Sequence, residues 1–163
     1  MNQLTWPRRR LAENRADQLS RHYSSPPIPV LEIAERNGVS VTFADFGELS
    51  EKVAGFCDLD NARIYVNSKD KTERQSFTIA HELGHWILHR EKITNKPETY
   101  RVLPRFTDPD SDNPLEKEAN AFAACLLVPK RLLKPVLGAP ISALANIFGV
   151  SRTMMEFRVK NIS

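Results

Sequence analysis

The chain has 163 residues, 41% hydrophobic and 26% charged, which excludes collagen-like, low-complexity and wholly disordered classes and predicts one globular domain. Such a domain buries roughly 68–70% of its unfolded surface, and Cys57 and Cys125 are too few and too far apart for a disulfide framework. The longest apolar runs, 39–46 and 119–128, fall far short of a membrane span and no signal-peptide core is present, so a cytoplasmic protein with free thiols and no membrane contact is expected.

In chain order, residues 1–25 hold five Arg against Glu13 and Asp17, which accounts for the whole net charge of +3. Three adjacent Arg alone specify no ligand, so this stretch reads as a solvated amphipathic extension with a helix over 8–22, ended by SSPPIP at 24–29. Residues 30–36 space their apolar side chains as a short helix, and Asn37-Gly38 supplies its stop. Val39, Val41 and Phe43 alternate with polar or small residues, as do Ile64 and Val66. Two strands are predicted there, antiparallel neighbours, with turn chemistry at 58–61. Residues 71–90 give the strongest helical pattern, with Thr72 and Gln75 as a capping box and Phe77, Ala80, Leu83, Gly84, Ile87 and Leu88 on one face. Pro97, Pro104 and Pro109 make 91–113 a long irregular connection of the kind that borders a substrate cleft. Asn113-Pro114 opens a second strong helix to 127, striped by Leu115, Ala119, Phe122 and Leu126. Shorter helices follow over 130–137, 141–148 and 151–160. Residues 144–152 look like the first helix and turn of a helix-turn-helix. Only Arg152, Arg158 and Lys160 are basic there, and Arg158 stands where an apolar residue belongs, so packing or partner docking is expected over DNA contact.

The chemistry concentrates in His81-Glu82-Leu83-Gly84-His85. Residues four apart share a helix face, so both imidazoles can reach one ion while Glu82 stands beside them as a general base. With 4 His and 12 Glu in the chain, chance supplies this pattern in roughly 0.7% of such sequences. A catalytic zinc site takes three protein ligands and keeps one open position. The HExxHxxGxxH arrangement is excluded because Leu88 and Glu91 occupy its glycine and last histidine positions. The third ligand is therefore sought in 116–120. Glu116 shares a face with Asn120, giving a ligand plus a group that can hold a ligand histidine, whereas Glu118 is the rival. Asn113-x-x-Glu116 also fits a capping box, which is the competing use of Glu116. His89 continues the i, i+4 row one turn too far for the same ion and is expected behind the ligands or on the surface. Tyr100, Arg101 and Arg105 are candidate donors to a developing oxyanion.

Together, FTIAHELGHWILH at 77–89 and EKEANAFAACLLVP at 116–129 resemble the ImmA/IrrE family of metallopeptidases. The likeness extends through VLEIAERNGVSVTF, GFCDLDNARIYVNSKDKTERQ and the C-terminal helices, over about 26–160. The resemblance implies an α+β, zincin-like core in which a small antiparallel sheet packs on the HExxH helix, with C-terminal helices added. On that reading 26–163 is the peptidase domain, 130–163 its helix-turn-helix-like part, and 1–25 a basic extension. It implies a gluzincin-like metalloendopeptidase with Zn2+, or Mn2+ in support of activity, on His81, His85 and the Glu of the ExEAN segment, and Glu82 catalytic. The implied substrate is a helix-turn-helix repressor, cleaved to relieve repression in mobile-element induction, stress response or toxin-antitoxin-like regulation. The rival reading is a non-proteolytic zinc-binding regulator acting through protein or DNA. Cys57 stands where the family pattern expects an apolar residue and is read as a small buried hydrophobe, not a ligand. The oligomeric state is left open.

Overall fold

The computed structural model describes residues 8–93, 100–104 and 113–162. Helix α1 (Arg9–Ser20) leads to α2 (Val30–Arg36), strand β1 (Ser40–Ala44), β2 (Val53–Asp58) and β3 (Arg63–Asn67). The long α3 (Thr72–Ile93) then precedes β4 (Tyr100–Pro104), α4 (Pro114–Leu127), α5 (Lys130–Leu133), α6 (Ile141–Phe148) and α7 (Arg152–Lys160). The class is α+β, as the sequence predicts, and no helix among the described residues is long and apolar enough to cross a membrane.

The sheet has the order β1-β3-β2-β4 and is mixed. β2 turns back on β3 through Asp58, whose carboxylate accepts from the Asn61 backbone N–H and side-chain amide, the self-bonding by which Asp favours turns. This hairpin takes up the antiparallel edge of β3, so β1 joins the other edge in parallel register, Val41 beside Ile64. The predicted strands at 39–43 and 64–66 are thus neighbours but not antiparallel ones. The expectation treated 58–61 as the turn between them, whereas it joins β3 to β2, a strand whose Gly55 breaks the apolar alternation. Similarly, the connection predicted as irregular over 91–113 contains β4, an antiparallel edge strand beside β2. Pro104 is tolerated there because it ends an edge strand.

α3 lies on β2 and β3 and packs against α4, which in turn packs against α1. Ile64 and Val66 from the sheet, Ile79, Ala80 and Leu83 from α3, and Phe122 and Leu126 from α4 are buried together. Gln75 Nε2 reaches past the start of α3 to the Asn67 carbonyl at 3.1 Å, tying the helix to β3. The sequence reading sets residues 1–25 apart as a solvated extension. From Arg9 onward, however, Ala12, Ala16 and Ser20 bury one face of α1. Arg131 of α5 donates to the carbonyls of Ser20, the last residue of α1, and of Tyr23 just beyond it. Arg158, unexpected on an apolar stripe, is buried and donates to the Val128 carbonyl at 2.9 Å, beyond the last turn of α4. That contact removes it from the few cations a DNA-reading α7 would have.

Candidate metal centre

His81 and His85 lie one helical turn apart on α3, each 1% exposed. Their Nε2 atoms converge on one carboxylate: His81 Nε2 is 3.0 Å from Glu116 Oε2, and His85 Nε2 is 3.2 Å from Glu116 Oε1. One donor atom from each of the three lies within 4.8 Å of the others, and among the described residues they form the one such group. Asn113 caps α4 by accepting from the Leu115 N–H at 2.9 Å, so the cap is made without the Glu116 carboxylate, which turns to the imidazoles. Close approach of the two helices depends on Gly84, between the histidines. A Cβ there would sit 3.0 Å from Phe122 Cδ1 and 3.3 Å from the Ala119 Cα.

The outward nitrogens are also held. His81 Nδ1 is 2.8 Å from Asn120 Oδ1, an acceptor, so Nδ1 of His81 carries a proton and Nε2 is the atom turned to Glu116. Burial, opposed by the Glu116 carboxylate, pushes His85 down to about 3, so it is neutral at physiological pH. Burial alone would raise Glu116, but the two imidazoles hold it well below the usual carboxylate range. Two buried imidazoles converging on one ionised carboxylate leave a site rich in Lewis base. Borderline-soft nitrogen donors with one carboxylate are the donor set of a catalytic Zn2+ centre, and His85 and Glu116 already stand in the deprotonated forms that metal binding requires. The residues fit a divalent ion.

Glu82 is 1% exposed and stands outside the cluster of three. Glu118, the rival third ligand, points elsewhere: its Oε1 is 3.0 Å from His89 Nε2 and 3.1 Å from Arg8 Nη2. His89 is fully buried, and its Nδ1 lies 2.9 Å from His85 Nδ1. Its place next to His85 was legible in the i, i+4 row, where it is expected behind the ligands or on the surface, and it is buried, but Arg8 carried no sequence signal at all. Cys57, on β2, is fully buried, and burial with the nearby Glu82 and Asp58 charges keeps its thiol well above its usual value. It is a core hydrophobe. Arg105 lies outside the described residues, and Tyr100 and Arg101 are described only as backbone positions of β4.

A cavity of about 970 Å³ lies on the α1, α3, α4 and α7 side of the molecule, and none of His81, Glu82, His85 and Glu116 lines it. It is lined by Phe77, whose ring is 5.8 Å from His81, by Asn120, and by Arg9, Arg74, Lys117 and Met154 among others.

A profile of the IrrE N-terminal-like domain, peptidase family M78, matches residues 34–160. The chain belongs to this metallopeptidase family. It is 25% identical over 137 residues to the metallopeptidase ImmA of Bacillus subtilis, covering 82% of this chain and 76% of ImmA. It is 28% identical over 123 residues to the radiation response metalloprotease IrrE of Deinococcus deserti, covering 72% of this chain and 41% of IrrE. In fold, it matches a Mycobacterium tuberculosis transcriptional regulator with a TM-score of 0.62 at 16% identity, over 90% of this chain and 45% of that one. The chain thus spans less than half the length of IrrE and of that regulator.

Proposed function

We propose that this chain is a zinc-dependent endopeptidase, with its peptidase unit over 26–163, that cleaves a helix-turn-helix repressor. The reading is carried by the convergence of His81, His85 and Glu116 on one point, with the buried carboxylate of Glu82 on the same helix turn. His81 Nε2, His85 Nε2 and a Glu116 oxygen would hold the ion, and Zn2+ bound there would supply Lewis acidity for activating a water and the scissile carbonyl. Glu82 takes the proton from the attacking water and delivers it to the departing amide nitrogen. Asn120 Oδ1 keeps the His81 ring in the tautomer that offers Nε2. Phe77 and Asn120, which neighbour His81, line the 970 Å³ cavity, a space large enough for an extended peptide. The repressor as substrate rests on what the resemblance to the ImmA/IrrE family implies.

Intact-mass analysis of a cognate helix-turn-helix repressor after incubation with Zn2+-loaded protein tests this. Wild type should make one cut. Glu82→Gln should bind one equivalent of Zn2+ yet cut at least about 100-fold more slowly, the usual contribution of a general base. Glu116→Ala should lose stoichiometric Zn2+. A metal-loaded wild type that leaves every such repressor intact would favour the non-proteolytic regulator, and equal Zn2+ content in Glu116→Ala would remove Glu116 from the site.

A further inference from the structure

The two histidine ligands are backed by partners of different character. His81 rests on an amide oxygen, which can only accept. His85 rests on a second imidazole, and a neutral imidazole can carry its proton on either nitrogen. For His85 Nδ1–H to donate to His89 Nδ1 at 2.9 Å, the His89 proton must sit on Nε2. The atom that fixes it there is Glu118 Oε1, at 3.0 Å. Glu118 is 3% exposed, and a carboxylate so buried persists only when its charge is paired. Its pairing comes from a single residue 110 positions away: Arg8 donates its backbone N–H at 2.9 Å, its Nε at 3.2 Å and its Nη2 at 3.1 Å.

The opposite end of this contact has its own unmet need. α1 has no side-chain cap and no acidic residue in its first turn, where Arg9 and Arg10 follow Arg8. Cations at a helix N-terminus oppose its dipole, and an anion is favoured there. Glu118 of α4 is that anion, so one carboxylate serves both the start of α1 and the histidine chain.

We propose that Arg8, Glu118 and His89 form a positioning chain that fixes the tautomer and rotamer of His85, making α1, which lies outside the family-matched residues 34–160, a working part of the metal centre. This rests on the metal reading above. Because coupling between two binding events is reciprocal, seating α1 tightens the metal and the metal tightens α1.

The test is the Zn2+ dissociation constant of the full chain, measured by competition with a chromophoric chelator, together with hydrogen exchange of the α1 amides with and without Zn2+. His89→Ala and Glu118→Ala should weaken Zn2+ by about 10- to 100-fold, the usual loss when the partner behind a ligand is removed. Arg8→Ala, at a partly exposed helix start that tolerates truncation, should weaken it by roughly tenfold, with part of the loss recovered in Arg8→Lys. Zn2+ should slow α1 exchange in wild type and not in Glu118→Ala. A merely structural role is separated by Leu133→Ala, which lowers Tm through the core while leaving Zn2+ affinity unchanged. Wild-type affinity in Arg8→Ala and His89→Ala overturns the chain while the metal reading stands. A wild type that binds no stoichiometric Zn2+ overturns both.

Discussion

Burial decides what each ionisable side chain can do. Cys57 and Cys125 are 0% and 5% exposed. Burial raises Cys57 well above the ordinary thiol value, with Glu82 and Asp58 adding to it. Burial likewise pushes Cys125 up to about 11, against the opposing field of Arg158. The thiolate is the nucleophile and the ligand form of cysteine, and at pH 8 Cys125 holds only about one part in a thousand of it. A disulfide reagent added to native protein at pH 8 should therefore label neither thiol on the timescale of minutes, and both in denaturant. Fast native labelling of Cys57 would contradict its reading as a buried core hydrophobe. Residue-scale features differed sharply in how far the sequence revealed them. His81, Glu82 and His85 were legible because the i, i+4 relation is local and needs only a helix. The choice between Glu116 and Glu118 was less so, since residues two apart point about 200° from each other on a helix and their long-range partners decide which face meets α3. Asn120 favoured Glu116 through the same-face argument, and Glu116 is the carboxylate that faces His81 and His85, whereas the Arg8 partner of Glu118 came from a segment with no marked pattern.

Among elements, the helices were readable and the sheet less so. Helical periodicity and proline or glycine stops placed α2 at 30–36 and α4 at 114–127 as observed. Strand pairing is a non-local choice, and β2 hides its alternation behind Gly55. That glycine has a packing reason: a Cβ there would stand 2.5 Å from the Tyr65 carbonyl oxygen and 2.5 Å from Thr78 Cγ2. One obstacle is backbone of the adjacent β3 and cannot rotate away; the other belongs to α3. Gly55→Ala should therefore force β2 away from β3 and α3 and destabilise the protein by about 1–3 kcal/mol, the range for overpacking. The backbone entropy gained by replacing glycine, roughly 0.5–1 kcal/mol, is too small to reverse the sign. A Gly55→Ala protein with wild-type midpoint in urea would mean that the sheet slides over α3 without cost.

At the scale of the whole molecule, the same buried groups set the pH range of stability. His85 stays neutral in the folded state down to about 3 because of its burial, while in the unfolded chain it takes up a proton near 6.5. The unfolded state binds more protons in that interval, so stability is lost as pH falls below about 6.5. Glu118 acts in the same direction at lower pH. Burial opposes its ionisation, but Arg8 and His89 hold it below the ordinary carboxylate value, so its contribution is present above that value and disappears on acidification. The thiols act oppositely: their raised values make stability present below about 8.5 and lost as pH rises through the alkaline range. The metal-free protein should be most stable between about pH 6.5 and 8.5. Within that plateau, ion binding adds a term that depends only on the folded state. At a free Zn2+ concentration 1,000 times Kd the gain is about 4 kcal/mol, which for a chain of this size is roughly 8–16 °C in Tm. Chelation should remove that increment from wild type and change nothing in Glu116→Ala. Calorimetry with and without chelator at pH 7.5 reads the difference directly. An equal Tm in both conditions for wild type would mean that His81, His85 and Glu116 hold no ion at that concentration, whatever their geometry permits.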